Sequence, residues 1–203
     1  MHPVHHHLVV QDLAALRPTQ AAVGMHEVQH KRQEWRALKK SERKALIESH
    51  WFPSVLGPGN RYFIVDHHHL GMALHLEGQQ QVQVTVLRDL SWLDLDTFWR
   101  TMEFSQLAHP YGADGRRMAF SKLPKSIDQL KDDPYRSLAG LLRQQGGYAK
   151  VDVPFSEFLW ADYLRQHFKK SEVQDLTKPV LAKALKLAKL ADARYLPGWG
   201  GKV

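Results

Sequence analysis

The chain has 203 residues, 43% of them hydrophobic, and its 28 Lys and Arg outnumber 21 Asp and Glu to give a formal net charge of +7. This composition predicts a folded domain with an apolar core, and the positive balance favours anionic partners. Cysteine is absent, which excludes disulfides, cysteine-ligated zinc or iron–sulfur centres, and a thiol nucleophile.

The N-terminal segment lacks the continuous apolar stretch that a signal peptide requires, and no apolar run approaches the roughly 18 residues of a membrane span. We therefore expect a cytoplasmic protein with no membrane partner. The first predicted element is a strand over residues 7–13, HLVVQDL, which leads into a turn over residues 17–20.

A strongly polar helix is predicted from about residue 21 to residue 38. It contains HEVQH over residues 26–30, which matches the H-E-x-x-H pattern of zinc peptidases, where both histidines share one helix face. In those peptidases the helix is largely apolar around the motif, whereas this one continues with KRQE. The pattern therefore argues against a metallopeptidase and leaves Glu27 and Lys31 as candidates for a site of another kind.

A second helix is predicted over residues 41–50 with Ser41 as its N-cap, followed by a Pro/Gly loop over residues 53–60. The apolar run YFIV at 62–65 predicts a buried strand that ends at Asp66. A helical pattern begins at His67, and Gly78 ends it in the manner of a C-cap.

The strand-to-helix junction VDHHHLG is the first candidate site. A helix start has unpaired amides and partial positive charge, so it favours an anion. Asp66 is expected to cap the helix, and His67, His68 and His69 occupy its first turn, where imidazoles bind phosphate, move protons or bind metals. Consecutive helical residues point about 100° apart, so only one or two of the three can act together. The alternative is a capped helix with surface histidines.

Residues 81–90 alternate polar and apolar side chains, which predicts a half-buried strand, and the chain is mostly helical from residue 94 onward. The helices are predicted over residues 95–107, 127–130, 135–144, 155–168 and 178–193. We expect the aromatic residues of this half to pack in the core: Trp92, Trp99, Phe104, Phe155, Phe158, Trp160 and Tyr163. The pattern as a whole predicts an α+β fold, with an α/β core over residues 1–92 and a helical extension over residues 93–203 packed on it as one compact unit.

Basic side chains outside the junction form a second candidate group: Arg116, Arg117, Lys122, Lys125, Arg136, Arg143, Lys169 and Lys170. Any of them could meet phosphate, although solvated helix faces account for most such residues. Within DPYRS, Pro134 suits the first position of a helix, which would place Arg136 near a helix end that faces the site.

Several of these segments, taken in their order along the chain, resemble the ParB/sulfiredoxin-like superfamily and its ParB-like nuclease branch. They are RPTQAAVGMHEVQHK, FIVDHHHLGMAL, DPYRSLAGLLRQQGGY, PFSEFLWADYLR and the LPG at Leu196–Gly198. The resemblance covers nearly the whole chain. It implies a small mixed sheet in the N-terminal half, with a turn entering a helix that holds nucleotide or substrate phosphate.

Superfamily members that phosphorylate free serine carry Asp-Gly-His-His-Arg in this turn, which falls on residues 66–70. Here His67 replaces the glycine and Leu70 the arginine, so the resemblance does not by itself imply binding of ATP or ADP. Sulfiredoxins use a cysteine in the turn, and partition proteins carry Gly-Glu-Arg-Arg and a helix-turn-helix. None of these occurs here, so we expect neither sulfiredoxin chemistry nor CTP-dependent DNA clamping.

Together, the residues and the resemblance predict an enzyme that acts on a phosphoryl group, as a nuclease or a nucleotide-dependent phosphotransferase. The predicted catalytic residues are Glu27, His68 and His69, and the predicted phosphate ligands are Gln20, Lys31, Asp66, His67 and Arg136, with Asp66 also a ligand for Mg²⁺ or Mn²⁺. The expected ligand is a nucleotide, a nucleic acid or a phosphorylated metabolite. The alternative is a non-catalytic module that binds nucleic acid or nucleotide, whose affinity for nucleic acid would fall steeply with salt.

Overall fold

The computed structural model describes residues 7–201, without the side chain of His7. The chain divides into two compact units. The first comprises the described residues up to 22 together with 28–131, and the second comprises 23–27 together with the described residues from 132 onward. The first unit extends to residue 131, because the helix that follows residue 94 packs on its sheet, and the division at 92/93 stays a prediction.

The architecture is α+β, as predicted, with a small mixed sheet. The strands are β1 (His7–Asp12), β2 (Arg17–Pro18), β3 (Ala22–Val23), β4 (Phe52–Gly57), β5 (Arg61–Ile64), β6 (Gln81–Asp89) and β7 (Lys131–Asp132). The helices are α1 (Met25–Ala37), α2 (Lys40–Ser49), α3 (His68–Leu76), α4 (Leu95–Phe104), α5 (Pro134–Gln144), α6 (Ser156–His167), α7 (Lys170–Val173) and α8 (Lys178–Leu187). Within the described residues, no helix has the length and apolar character to cross a membrane.

The sheet of the first unit has the strand order β1-β6-β4-β5-β2. The pairs β1·β6 and β4·β5 are antiparallel, whereas β4·β6 and β2·β5 are parallel. In β6, Val82 and Val84 are buried while the residues between and before them are partly or fully exposed, so the predicted half-buried strand is present.

The predicted loop over residues 53–60 is wrong for residues 53–57, because Phe52–Gly57 form the central strand β4, whereas residues 58–60 form a turn. Phe52 and Val55 are fully buried, and this apolar burial outweighs the presence of Pro53. Proline has no N–H to donate, but the Pro53 carbonyl accepts a 2.9 Å bond from the Val65 N–H, and the register with β6 shifts at Ser54/Val55. An irregularity in the ladder thus accommodates the proline.

The first helix begins at Met25 and not near residue 21, since Ala22–Val23 form β3. Its first amides are bound by distant side chains. The Met25 N–H donates to Asp132 Oδ1 at 3.0 Å, and the His26 N–H donates to Ser137 Oγ at 3.1 Å. Because these partners lie more than one hundred residues away in sequence, no local capping signal marks this helix start.

Two smaller predictions also differ from the structure. Ser41 is not a cap: the N-cap of α2 is Lys39, whose N–H donates to Glu42 Oε2 at 2.6 Å, and Ser41 lies inside the helix. Trp92 and Phe104 are 78% and 92% exposed and lie outside the core. Phe104 points away from the sheet because it is two positions beyond the buried Met102, on the opposite helix face.

The second unit is mainly helical and has its own core. As predicted, Pro134 takes the first position of α5, and Asp133 Oδ1 accepts the Tyr135 N–H at 3.0 Å. Trp160 of α6 is fully buried, stacks on Tyr148 at 4.3 Å between ring centroids, and donates its indole N–H to the Pro197 carbonyl.

Candidate functional site

The junction, defined here as residues 66–69, connects β5 to α3 in the first unit. Two hydrogen bonds fix it to the segment after β2. Thr19 Oγ1 donates to the Ile64 carbonyl at 2.9 Å, and the Thr19 N–H donates to His68 Nε2 at 3.3 Å. Thr19, the residue after β2, therefore positions both the last residue of β5 and the first residue of α3.

The residue that caps α3 is His67, so the predicted cap at Asp66 is wrong. His67 has φ 63° and ψ 21°, in the left-handed region, and its carbonyl accepts the Gly71 N–H at 2.8 Å as the first bond of the helix. Asp66 Oδ1 accepts the His67 N–H at 2.6 Å. The left-handed turn separates Asp66 from the helix, so its carboxylate reaches only the next amide.

The conformation of His67 is the one that glycine adopts most readily. Left-handed backbone costs an ordinary residue roughly 1–2 kcal/mol. His67 nevertheless adopts φ 63° with an ordinary side chain. A left-handed residue followed by right-handed helix is the alternation that forms anion-binding concavities of backbone amides.

The His67 side chain is half-buried beside other rings. Its ring lies edge-on to Phe52 at 5.7 Å and is 6.5 Å from the His50 ring. Its Nδ1 atom is buried without a hydrogen-bond partner in the described part of the chain. Burial lowers the pKa of His67, and the charges of His50 and Lys31 lower it further against the opposing effect of Asp66. The imidazole is therefore neutral at neutral pH.

Because the His67 backbone is left-handed, we expect glycine to stabilise the fold more than alanine at this position, the reverse of the usual order in a helix. We expect His67→Gly to be more stable than His67→Ala by about 1 kcal/mol, because both lose the imidazole but only alanine keeps the left-handed penalty. Urea denaturation of the two variants measures the difference.

His75, in the last turn of the same helix, provides the control, because its backbone is not left-handed. There the order should reverse, with His75→Gly less stable than His75→Ala by up to about 1 kcal/mol. A His67→Ala variant as stable as His67→Gly would contradict the left-handed conformation.

The other two junction histidines differ in environment. His68 is 4% exposed, and because its Nε2 accepts the Thr19 N–H, the geometry assigns the ring proton to Nδ1. This contact makes His68 a residue that positions the turn. His69 is half-buried in the first turn of α3.

Two further predicted site residues belong to the first unit. Lys31 of α1 is half-buried and lies close enough to lower the pKa of His67. Gln20 is 7% exposed, and its amide donates to the Ala22 carbonyl at 2.8 Å, so this donor stabilises the loop. The structure thus brings Lys31, Asp66 and His67 together. Residue patterns missed Thr19 and His50, although Thr19 lies inside the RPTQ segment.

Comparison with known proteins identifies the family. A family described as "Putative ParB-like nuclease" matches residues 9–166. The chain belongs to this family. It is also similar to a solved structure, the crystal structure of protein Atu1540 from Agrobacterium tumefaciens, with 45% sequence identity, a TM-score of 0.90, and coverage of 97% of this chain and 99% of the other. No curated protein matches the chain.

The remaining predicted residues of this ParB-like nuclease family member, Glu27 and Arg136, lie in the second unit. Arg136 is 6% exposed, contacts Glu157 at 3.2 Å, and lies 3.7 Å over the Phe158 ring. Burial lowers the pKa of Arg136 against the charges of Glu157, Asp133 and Glu27. Its guanidinium is thus held by an ion pair inside this unit. The roles of Glu27 as base and Arg136 as phosphate ligand stay predictions.

The described residues of this family member offer few donors for a metal ion. Among the described residues, no group of three His, Cys, Asp or Glu side chains is arranged to hold a metal. Asp66 is exposed and supplies one carboxylate at the junction. A cavity of about 520 Å³ in the first unit, bordered by Trp35, Arg43 and Glu77, has none of the junction residues in its lining.

Proposed function

We propose that this chain acts on a phosphoryl group, as a nuclease or a nucleotide-dependent phosphotransferase, and binds the phosphate at the junction. Membership of the ParB-like nuclease family supports the nuclease side of this proposal. The observation that carries the proposal is the left-handed conformation of His67, because it keeps the glycine-like turn although the glycine itself is absent.

The electrostatics of the first unit are compatible with a bound phosphate. The nine-residue helix α3 directs its positive end at the junction, and Lys31 adds a full charge near His67. The neutral His67 ring adds no positive charge of its own. In this arrangement the helix end and Lys31 balance the phosphate charge.

The proton transfers are assigned to His69. In hydrolysis, water attacks phosphorus, the bond to the leaving oxygen breaks, and that oxygen takes up a proton. Imidazole is the side chain whose ordinary titration range suits such a transfer at neutral pH. His68 uses its Nε2 atom to hold Thr19, which leaves His69 as the better candidate of the two predicted catalytic histidines.

In this proposal a divalent ion, Mg²⁺ or Mn²⁺, would bind together with the substrate phosphate. The residues that the structure describes contain no cage of three His, Cys, Asp or Glu donors, but magnesium sites at phosphates commonly use one or two carboxylates with the phosphate oxygens and water. Asp66 would supply such a carboxylate.

The test compares His69→Asn with His75→Asn, which alters a histidine at the far end of the same helix. Activity would be measured on bis(p-nitrophenyl) phosphate, plasmid DNA and ATP, each with Mg²⁺ and with Mn²⁺. We expect one substrate class to turn over, and His69→Asn to lower its rate by roughly 10²–10⁴-fold while His75→Asn leaves it unchanged.

Absence of turnover on all three substrates with either ion would contradict the enzyme proposal and favour the alternative of a binding module. That alternative predicts DNA affinity that falls steeply between low and high salt. Full activity of His69→Asn would show that His69 does not transfer the proton, even if the protein is an enzyme.

A further inference from the structure

Two arginines and a phenylalanine share one side of the sheet of the first unit, at its edge strand. In the parallel pair β2·β5, Arg17 lies opposite Phe63. Arg61 precedes Phe63 by two positions on β5, so both side chains point to the same face. Phe63 contacts Trp99 of α4 at 5.3 Å between centroids, so this is the face that α4 covers.

The space beside these side chains is a cavity of about 200 Å³. We name it the Arg17–Arg61 pocket, lined principally by Arg17, Arg61, Phe63, Trp99, Phe120 and Lys125. The rings of Trp99 and Phe120 stack on each other at 5.5 Å between centroids with 5° between their planes, and both border the pocket. The pocket therefore joins three cationic side chains to an aromatic surface.

The positive charge of this pocket is not neutralised by the described part of the chain. Arg17 Nη1 donates to the Lys125 carbonyl at 2.6 Å, and neither Arg17 nor Arg61 forms an ion pair with a described carboxylate. Several other arginines of the unit are paired with carboxylates, as where Arg32 and Arg36 share Glu77. The lining residues include no Asp or Glu.

The two arginines also repel each other. Burial lowers the pKa of Arg17, and the charge of Arg61 lowers it further. An anion between two guanidinium groups would remove this repulsion and accept charge-assisted hydrogen bonds from both.

We propose that the Arg17–Arg61 pocket binds a small organic anion, with its phosphate or carboxylate between the arginines and an aromatic ring against Trp99 and Phe120. A volume of about 200 Å³ is below the range of about 300–1,000 Å³ that drug-sized ligands occupy, so one ring with one anionic group is the appropriate size. The pocket shares no lining residue with the junction, and this inference does not depend on the proposed function.

The test measures binding of phenyl phosphate, benzoate, inorganic phosphate and phenol to the whole chain by isothermal titration calorimetry. We expect the preferred ring-bearing anion to bind at least 10-fold more tightly than inorganic phosphate or phenol. The ratio of the dissociation constants of phenyl phosphate and benzoate shows whether the pocket prefers phosphate or carboxylate. Either preference supports the pocket.

Variants separate the two parts of the pocket. Arg61→Gln should weaken the ring-bearing anion at least 10-fold, whereas Arg100→Gln, an equal change of charge at an exposed residue of α4, should not. Phe120→Leu should weaken the ring-bearing anion without affecting inorganic phosphate. Thermal unfolding of each variant confirms that it is folded.

Three results would overturn the inference: no binding of any probe at millimolar concentration, equal affinity for inorganic phosphate and both ring-bearing anions, or unchanged affinity in Arg61→Gln. Loss of binding in His69→Asn together with unchanged binding in Arg61→Gln would locate the ligand at the junction. That outcome would support the proposed function and exclude the Arg17–Arg61 pocket as the binding site. Failure of this inference can therefore be distinguished from failure of the proposed function.

Discussion

Phe98→Ala is expected to lower the free energy of unfolding by about 3–5 kcal/mol, the usual cost of truncating a buried aromatic side chain. Phe98 of α4 is fully buried and lies 4.5 Å from Phe63 and 5.2 Å from Trp99 between ring centroids. Its ring also comes within 2.7 Å of where a Cβ on Gly57 would lie, which shows how closely it packs against β4. Equilibrium denaturation in urea measures the loss.

The same helix provides a matched control. Phe104 is 92% exposed, so Phe104→Ala should change the free energy of unfolding by no more than about 0.5 kcal/mol. If the two alanine variants lost equal stability, α4 would not be packed on the sheet, and the assignment of residues 93–131 to the first unit would be wrong.

The second large effect is expected at Glu157 in the second unit. Glu157→Gln should cost about 3 kcal/mol, because it removes the charge that compensates the buried Arg136 guanidinium, 3.2 Å away. Glu157 is 17% exposed and also pairs with Arg143, so solvent replaces little of the lost interaction. Urea denaturation again gives the magnitude.

Two further variants test the cause. Arg136→Met combined with Glu157→Gln should be less destabilised than Glu157→Gln alone, since the unpaired buried charge is then absent. Glu48→Gln breaks an exposed pair with Lys44 and should cost less than about 1 kcal/mol. A loss at Glu157 no greater than that at Glu48 would show that Arg136 is solvated in solution.

Local residue patterns were sufficient for many elements. The alternation in β6 gave its strand, and Pro134 gave the start of α5. Gly78, predicted to end α3, has φ +76° just after it. Each of these signals depends on neighbours within a few residues, so these elements can be predicted from the local sequence alone.

Long-range partners decided the features that the patterns missed. The start of α1 depends on Asp132 and Ser137, and β4 forms despite Pro53 because it pairs with two neighbouring strands and buries Phe52 and Val55. No spacing within the segment indicates either result, since the stabilising groups come from distant parts of the chain.

The junction shows both kinds of information. The sequence by itself determined that a strand ends near Asp66, that a helix with three histidines follows, and that the chain resembles the ParB-like nuclease family, which comparison confirmed. Only the tertiary structure decided that His67 is the left-handed cap and that His68 is bound by Thr19. The physical reason is that residue order encodes local periodicity, whereas backbone strain and ring contacts depend on how elements far apart in sequence pack against the turn.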